Sequence, residues 1–235
     1  MTNTYSPILG IATAAFELAT AGWALVGLRR GRGRRSVLVL SALLLVCLAA
    51  YQIVEVLVCW SGAEPRLFLS RLGFIAVTWL PPLTILLLAR LYGPTRPRGR
   101  LLLWYGYLSL ALAAVMAFWI FVEYRFVSGT ICEFMYAKYI HVVPYFDLYG
   151  DFYEVTQVAS AVLAALCVIH AADAADRRKL GDVLIGIQLY LIPALLVGAV
   201  FRGIGGYGLP SIMCHFALAY ALCLARMLAR EIAPA

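Results

Sequence analysis

Seven stretches of mainly apolar residues, at 8–28, 36–60, 67–91, 101–123, 152–172, 183–200 and 209–228, alternate with polar segments along the chain. Each is close to the roughly 20 residues that a helix needs to cross the hydrocarbon layer of a bilayer. The segments GRGRRS, GPTRPRGR and DRRKLGD are short, charged and turn-rich, and read as tight connectors rather than domain linkers. SGAEPR and RGIGGYG are equally short, and only 124–151 is long. The expected fold is therefore all-α, a single polytopic domain of seven transmembrane helices over residues 1–235, with no internal repeat. Pro81 and Pro82 fall in the middle of the third span, where two missing backbone donors are expected to kink the helix; Pro193 does the same more weakly in the sixth.

Composition supports the membrane assignment. The chain is 64% hydrophobic with 13% charged residues, against roughly 25% charged in a soluble domain. Net charge is +7, but 14 of the 19 lysines and arginines cluster after odd-numbered spans, around Arg29–Arg35, Arg90–Arg100, Arg177–Lys179 and Arg226–Arg230. Such clustering orients a membrane protein, with the basic loops in the cytoplasm, and does not point to nucleic acid. The expected topology has the N-terminus outside and the C-terminus cytoplasmic, in a bacterial inner membrane. The partners are the lipid bilayer, whose anionic headgroups the basic loops attract, and further membrane subunits or a second copy of the chain. MTNTYSP lacks the basic start of a signal peptide, so the first helix is expected to insert by itself.

With that topology, several polar side chains lie at similar depth toward the outer face. Gln52, Glu55 and Cys59 share one face of the second span. Asp151, Glu154 and Gln157 lie near the outer end of the fifth, and Ser211, Cys214 and His215 in the first turns of the seventh. Glu17 sits near the middle of the first span. An ionised side chain in the bilayer core costs roughly 2.5–3.5 kcal/mol even on a lenient insertion scale, so such groups are expected to face one another, a base or water. The pattern predicts a polar pocket open to the outer face, with Gln52, Glu55, Asp151, Glu154, His215 and Glu17 as ligand-binding candidates. Arg71, Arg125 and Arg202 are candidate counter-charges. Interhelical hydrogen bonding is the competing explanation for the same residues.

His215, Glu55 and Glu154 are of the right types for a metal ligand set, but no HxxxH, HExxH, ExxH or CxxC spacing is present, and no cofactor is assigned. Adjacent helical residues point about 100° apart, so Cys214 and His215 do not form an activated thiolate pair. Cys47, Cys167 and Cys223 fall within spans as small packing residues. Cys59 and Cys132 both fall on the outer, oxidising side and are a candidate disulfide, with Cys132–Cys214 as the alternative. The long loop is dense in aromatics, from Tyr124 to Tyr149, which suits either a segment at headgroup level or a lid over a pocket.

Seven spans suggest a microbial rhodopsin, but Lys138 and Lys179 are the only lysines and neither is in a span, which excludes a retinal Schiff base. Three histidines are too few for an alkaline-ceramidase-like hydrolase. Gln52-Ile-Val-Glu55 with Trp60, Trp79-Leu-Pro81-Pro82, and Pro210-Ser211-Ile-Met-Cys214-His215-Phe-Ala217 resemble three motifs of a family of small bacterial multi-pass membrane proteins. Val56 replaces a glycine of that pattern, Trp60 is one place late, and Met213 stands at an expected tryptophan. The resemblance implies membrane topology and no activity. The expected function is binding of a small ligand or ion, as a sensor, transporter component or complex subunit. The alternatives are an intramembrane enzyme acting on a lipid or quinone-like substrate through a carboxylate base, and a purely structural subunit.

Overall fold

A computed structural model describes residues 7–132, 137–142, 144–200 and 216–233. Its helices are α1 (Ile8–Arg29), α2 (Arg35–Trp60), α3 (Ala63–Thr78), α4 (Leu80–Tyr92), α5 (Pro97–Val122), α6 (Asp147–His170), α7 (Ala174–Val200) and α8 (Ala217–Ile232). Among the described residues five segments are long and apolar enough to cross a membrane: α1, α2, Pro65–Tyr92 of the α3–α4 pair, α5 and α6. Where no water is at hand, a backbone must satisfy its own donors and acceptors, and a helix does so within one segment. α7 runs through the sixth stretch and through Pro193. α8 covers the latter part of the seventh, whose opening residues 209–215 lie outside the described residues.

The third stretch is broken. α3 ends at Thr78, and the helical ladder resumes with the Leu83 N–H on the Trp79 carbonyl at 3.1 Å. Pro81 and Pro82 thus occupy the first turn of α4, where a missing N–H costs least. α4 is buried all round except at Arg90 and packs against α2, α3, α5, α6 and α7. Small residues admit the neighbours: a Cβ on Gly106 of α5 would lie 2.6 Å from Leu86 Cδ2, and one on Gly186 of α7 would lie 2.6 Å from the Tyr220 ring. The buried face of α1 is likewise small, Thr13, Ala14, Thr20, Ala21, Ala24 and Gly27, apart from Glu17. α1 packs on α2 and α8.

The fold is otherwise all-helical, as expected, and the long connection adds its one sheet among the described residues. It forms an antiparallel hairpin of β1 (Gly129–Cys132) and β2 (Ala137–Ile140), and α6 begins at Asp147 rather than 152. Of its described aromatics, Phe126, Tyr139 and Tyr149 are buried, whereas Tyr124 is exposed. The Phe74 ring of α3 lies 5.0–5.8 Å from the rings of Tyr139, Phe126, Phe146 and Tyr149. Four edge-on contacts of this kind contribute about 0.5–1.5 kcal/mol each beyond their area. Cys59 is disulfide-bonded to Cys132, and Ser70 and Thr130 share a hydrogen bond of 2.8 Å. The hairpin is thereby fastened to both α2 and α3.

The opposite, arginine-rich end is held by charge. Gly31 (φ 64°) and Gly33 (φ 80°) turn the chain between α1 and α2. A Cβ on Gly33 would come within 3.0 Å of the Glu231 carbonyl, so the turn lies directly on the end of α8. There Glu231 accepts from the Arg34 backbone N–H (2.7 Å), Arg34 Nε (2.9 Å) and Lys179 Nζ (2.6 Å), while Arg34 also reaches Asp176 at 2.8 Å. Asp182 of α7 is paired with Arg230 (2.6 Å) and Arg226 (3.4 Å) of α8. The basic clusters thus carry ion pairs, and their acidic partners join α2, α7 and α8. Burial alone would push the Glu231 carboxyl up, but the hydrogen bonds from Arg34 and Lys179 prevail and hold it down at about 2.

Two outcomes follow. Glu231→Gln lowers unfolding stability in detergent by about 2 kcal/mol, because two cations lose a charged acceptor. The Glu231 pKa is below its ordinary value of 4.5, so this contribution is complete above about 4.5 and is lost as pH falls through about 2. The stability gap between wild type and variant must therefore close across that window, and a gap independent of pH contradicts the assignment. Cys59→Ser costs about 3 kcal/mol by releasing the hairpin, and should make Lys138 cleavable by trypsin under conditions where the parent resists.

Candidate functional site

The face of α2 nearest the hairpin carries Tyr51, Gln52, Glu55 and Cys59. At 100° per residue these four fall within about 100° of arc, and all are buried. Tyr51 meets Tyr139 of β2, hydroxyl to hydroxyl at 3.3 Å, and Cys59 is bonded to Cys132 of β1. Glu55 lies one turn from each attachment. Both strands are thus fixed to α2 on either side of the same carboxyl, which is 2% exposed. Gly73 of α3 lets that helix approach, with the Tyr51 ring 3.5 Å from where its Cβ would be. The aromatic cluster around Phe74 adjoins this face through Tyr139.

A second polar group crosses the bundle. Gln157 Nε2 of α6 donates to the Tyr190 hydroxyl of α7, and Ser160 Oγ donates to the Gln157 carbonyl at 2.7 Å. The Tyr190 ring lies 5.4 Å from that of Tyr220 on α8, whose hydroxyl is 3.1 Å from Thr84 Oγ1 on α4. Polar side chains from four helices are therefore satisfied within the protein, and they serve as interhelical fastening. Tyr190, Tyr220 and Thr84 are not signalled by the sequence, because a lone tyrosine or threonine in an apolar span gives no hint of which helix it meets. Gln157, expected near the pocket, belongs to this group.

Glu17 differs from both. It is fully buried on α1, and neither carboxyl oxygen has a hydrogen-bond partner among the described residues. Counted from the α1–α2 turn at 1.5 Å per residue, it lies about 8 Å deeper toward the arginine-rich end than Gln52. It is therefore not level with the α2 pair.

The remaining described candidates are on α6. Asp151 and Glu154 are exposed on α6, on the stripe that also carries the exposed Val155 and Val158. Thr156, Gln157, Ser160 and Ala164 form the buried stripe of that helix. Near a helix end both faces tolerate polar residues, so depth alone does not tell which way these two carboxylates face. Arg71 donates to the Phe121 carbonyl at 3.2 Å, and Arg125 pairs with Glu123 at 3.1 Å, so neither is a counter-charge held for Glu55 alone. Ser211, Cys214, His215 and Arg202 lie outside the described residues. Among the described residues no three His, Cys, Asp or Glu side chains assemble as a metal-binding group. Cys47, Cys167 and Cys223 are free thiols.

The chain matches no known family and no curated protein.

The fastening role of Gln157 is open to a double-mutant cycle. Gln157→Leu costs about 1 kcal/mol of bundle stability, and adding Tyr190→Phe costs little more, because the partner is already gone. Strictly additive losses in a denaturant titration contradict the pairing.

Proposed function

We propose that this is a seven-span protein of the bacterial inner membrane that binds a small ligand or ion beneath the hairpin, as a sensor, transporter component or complex subunit. Its arginine-rich end then lies in the cytoplasm. Two independent features support that orientation: basic loops favour the cytoplasmic side, and the Cys59–Cys132 bond at the other end suits an oxidising compartment.

The observation that carries the binding role is the place of Glu55. A buried carboxyl in a membrane helix is expensive and calls for a function or a partner. This one is a single turn from each of the two points at which the hairpin is fastened to α2. Gln52 beside it offers an amide donor and acceptor. The tyrosine and phenylalanine faces adjoining it favour positive charge. The ligand class is accordingly a small cation, either an amine or a metal ion, with Glu55 as its counter-charge and Gln52 as its orienting group. Asp151 and Glu154, exposed on the same side of the membrane, serve as an acidic approach rather than as ligands.

The test is thermal stability of the purified protein against alkali and divalent metal ions and small primary and quaternary amines. A probe present at 100 times its dissociation constant adds about 2.7 kcal/mol of stability. Glu55→Gln should abolish the response while helicity and monodispersity are unchanged. A response that survives in Glu55→Gln, or a wild type that answers to none of the cations, overturns the reading.

A further inference from the structure

The bundle is not closed between α5 and α6. Both helices pack on α4 and scarcely touch one another, so a slot runs between them with Tyr92 of α4 at one end. Two cavities of about 370 Å³ each lie along it and share Leu101, Leu102 and Leu163 as walls. One extends to Arg98 and His170 at the arginine-rich end, and the other to Tyr105 and Ala159 toward the middle of the bundle. From Ala159 to His170 the slot follows eleven residues of α6, about 16 Å of helix. That is about half of a hydrocarbon core roughly 30 Å thick, the depth of one leaflet.

The walls are hydrocarbon, and the cation is at the end where a headgroup would be. Arg98 is exposed, has no ion pair among the described residues, and is the arginine that lines the slot. No carboxylate lines either cavity. A long apolar slot of one-leaflet depth, ending at an uncompensated guanidinium, complements an acyl chain joined to a phosphate.

We infer that the slot between α5 and α6 is a binding site for an anionic phospholipid of the arginine-rich leaflet, its acyl chain along Leu102 and Leu163 and its phosphate against Arg98. A second copy of the chain is a poorer occupant. Two copies meeting on this face about an axis normal to the membrane would bring the two Arg98 side chains together, and like charges so placed oppose association. The site is separate from Glu55, at the other end of the bundle, and does not depend on the ligand assigned there.

The full chain is purified in mild detergent, incubated with equal amounts of phosphatidylglycerol and phosphatidylcholine of matched chains, and examined by native mass spectrometry. Wild type should retain one phosphatidylglycerol with a preference of about fivefold, the effect of one cation at the membrane surface. Arg98→Gln should bind both lipids equally, and Arg30→Gln, an exposed arginine of the same end away from the slot, should keep the preference. Ala159→Phe, which fills the slot, should lose both lipids. No preference in wild type, a preference that survives Arg98→Gln, or one lost equally in Arg30→Gln overturns the assignment. So does a lipid-free dimer that Ala159→Phe dissociates, which would make a second copy the occupant. If Ala159→Phe does not fold, the comparison of the two arginine variants decides alone.

Discussion

Lipid tails solvate an apolar side chain as well as another helix does, so burial by itself does not drive these helices together. What does is close approach, and α4 shows how it is arranged. Nearly all of its side chains are enclosed, which requires neighbours on every side of a 13-residue helix. Gly106 allows α5 to lie against Leu86, and Gly186 allows α7 to lie against Tyr220. The small buried face of α1 does the same for α2 and α8. Hydrogen bonds among Gln157, Tyr190, Thr84 and Tyr220 then fasten helices that packing has already brought near, at about 0.6 kcal/mol each.

The two ends of the bundle use other means, because water and charge are available there. At the hairpin end an aromatic cluster around Phe74 and one disulfide fix the connection between α5 and α6. At the other end Glu231 and Asp182 gather arginines and a lysine from three segments. The ionic clamp compensates for short connectors: the α1–α2 turn needs two glycines with positive φ, and Arg34 immediately after it is held by Glu231. Apolar packing thus sets the middle of the bundle, while the ends determine which helix termini meet.

The positions of the helices were legible in the sequence because hydrocarbon length and backbone self-sufficiency leave a long apolar run few alternatives. The interruption at Thr78–Trp79 was legible too, in Pro81 and Pro82, whose missing donors cannot continue a ladder. The facing of side chains was legible only in part. Gln52 and Glu55 lie deep enough that one stripe of α2 had to enclose them, whereas Asp151 and Glu154 lie in the first two turns of α6, where hydrophobicity no longer discriminates between faces. Glu231 and Asp182 were hidden among basic residues that read as a topology signal. The buried Phe126, Tyr139 and Tyr149 were hidden because aromatic residues suit a membrane interface and a packed cluster equally well.

Chain length bears on why the hairpin exists at all. Residues 30–34 suffice to join α1 to α2 and residues 171–173 to join α6 to α7, yet the path from α5 to α6 takes residues 123–146. Ordering one residue of backbone costs about 1–2 kcal/mol, and long connections in compact domains are usually functional when they are folded. Topology alone required only a turn. The extra residues form two strands, three ring contacts to Phe74 of α3 and a covalent bond to α2, and the disulfide and the Tyr51–Tyr139 contact flank Glu55 on its stripe of α2. Glu17, equally buried, has no comparable fastening beside it among the described residues. Among the described residues the difference between the two carboxyls lies in their neighbours, since Glu55 is flanked one turn away on each side by an attachment of the hairpin that topology did not require.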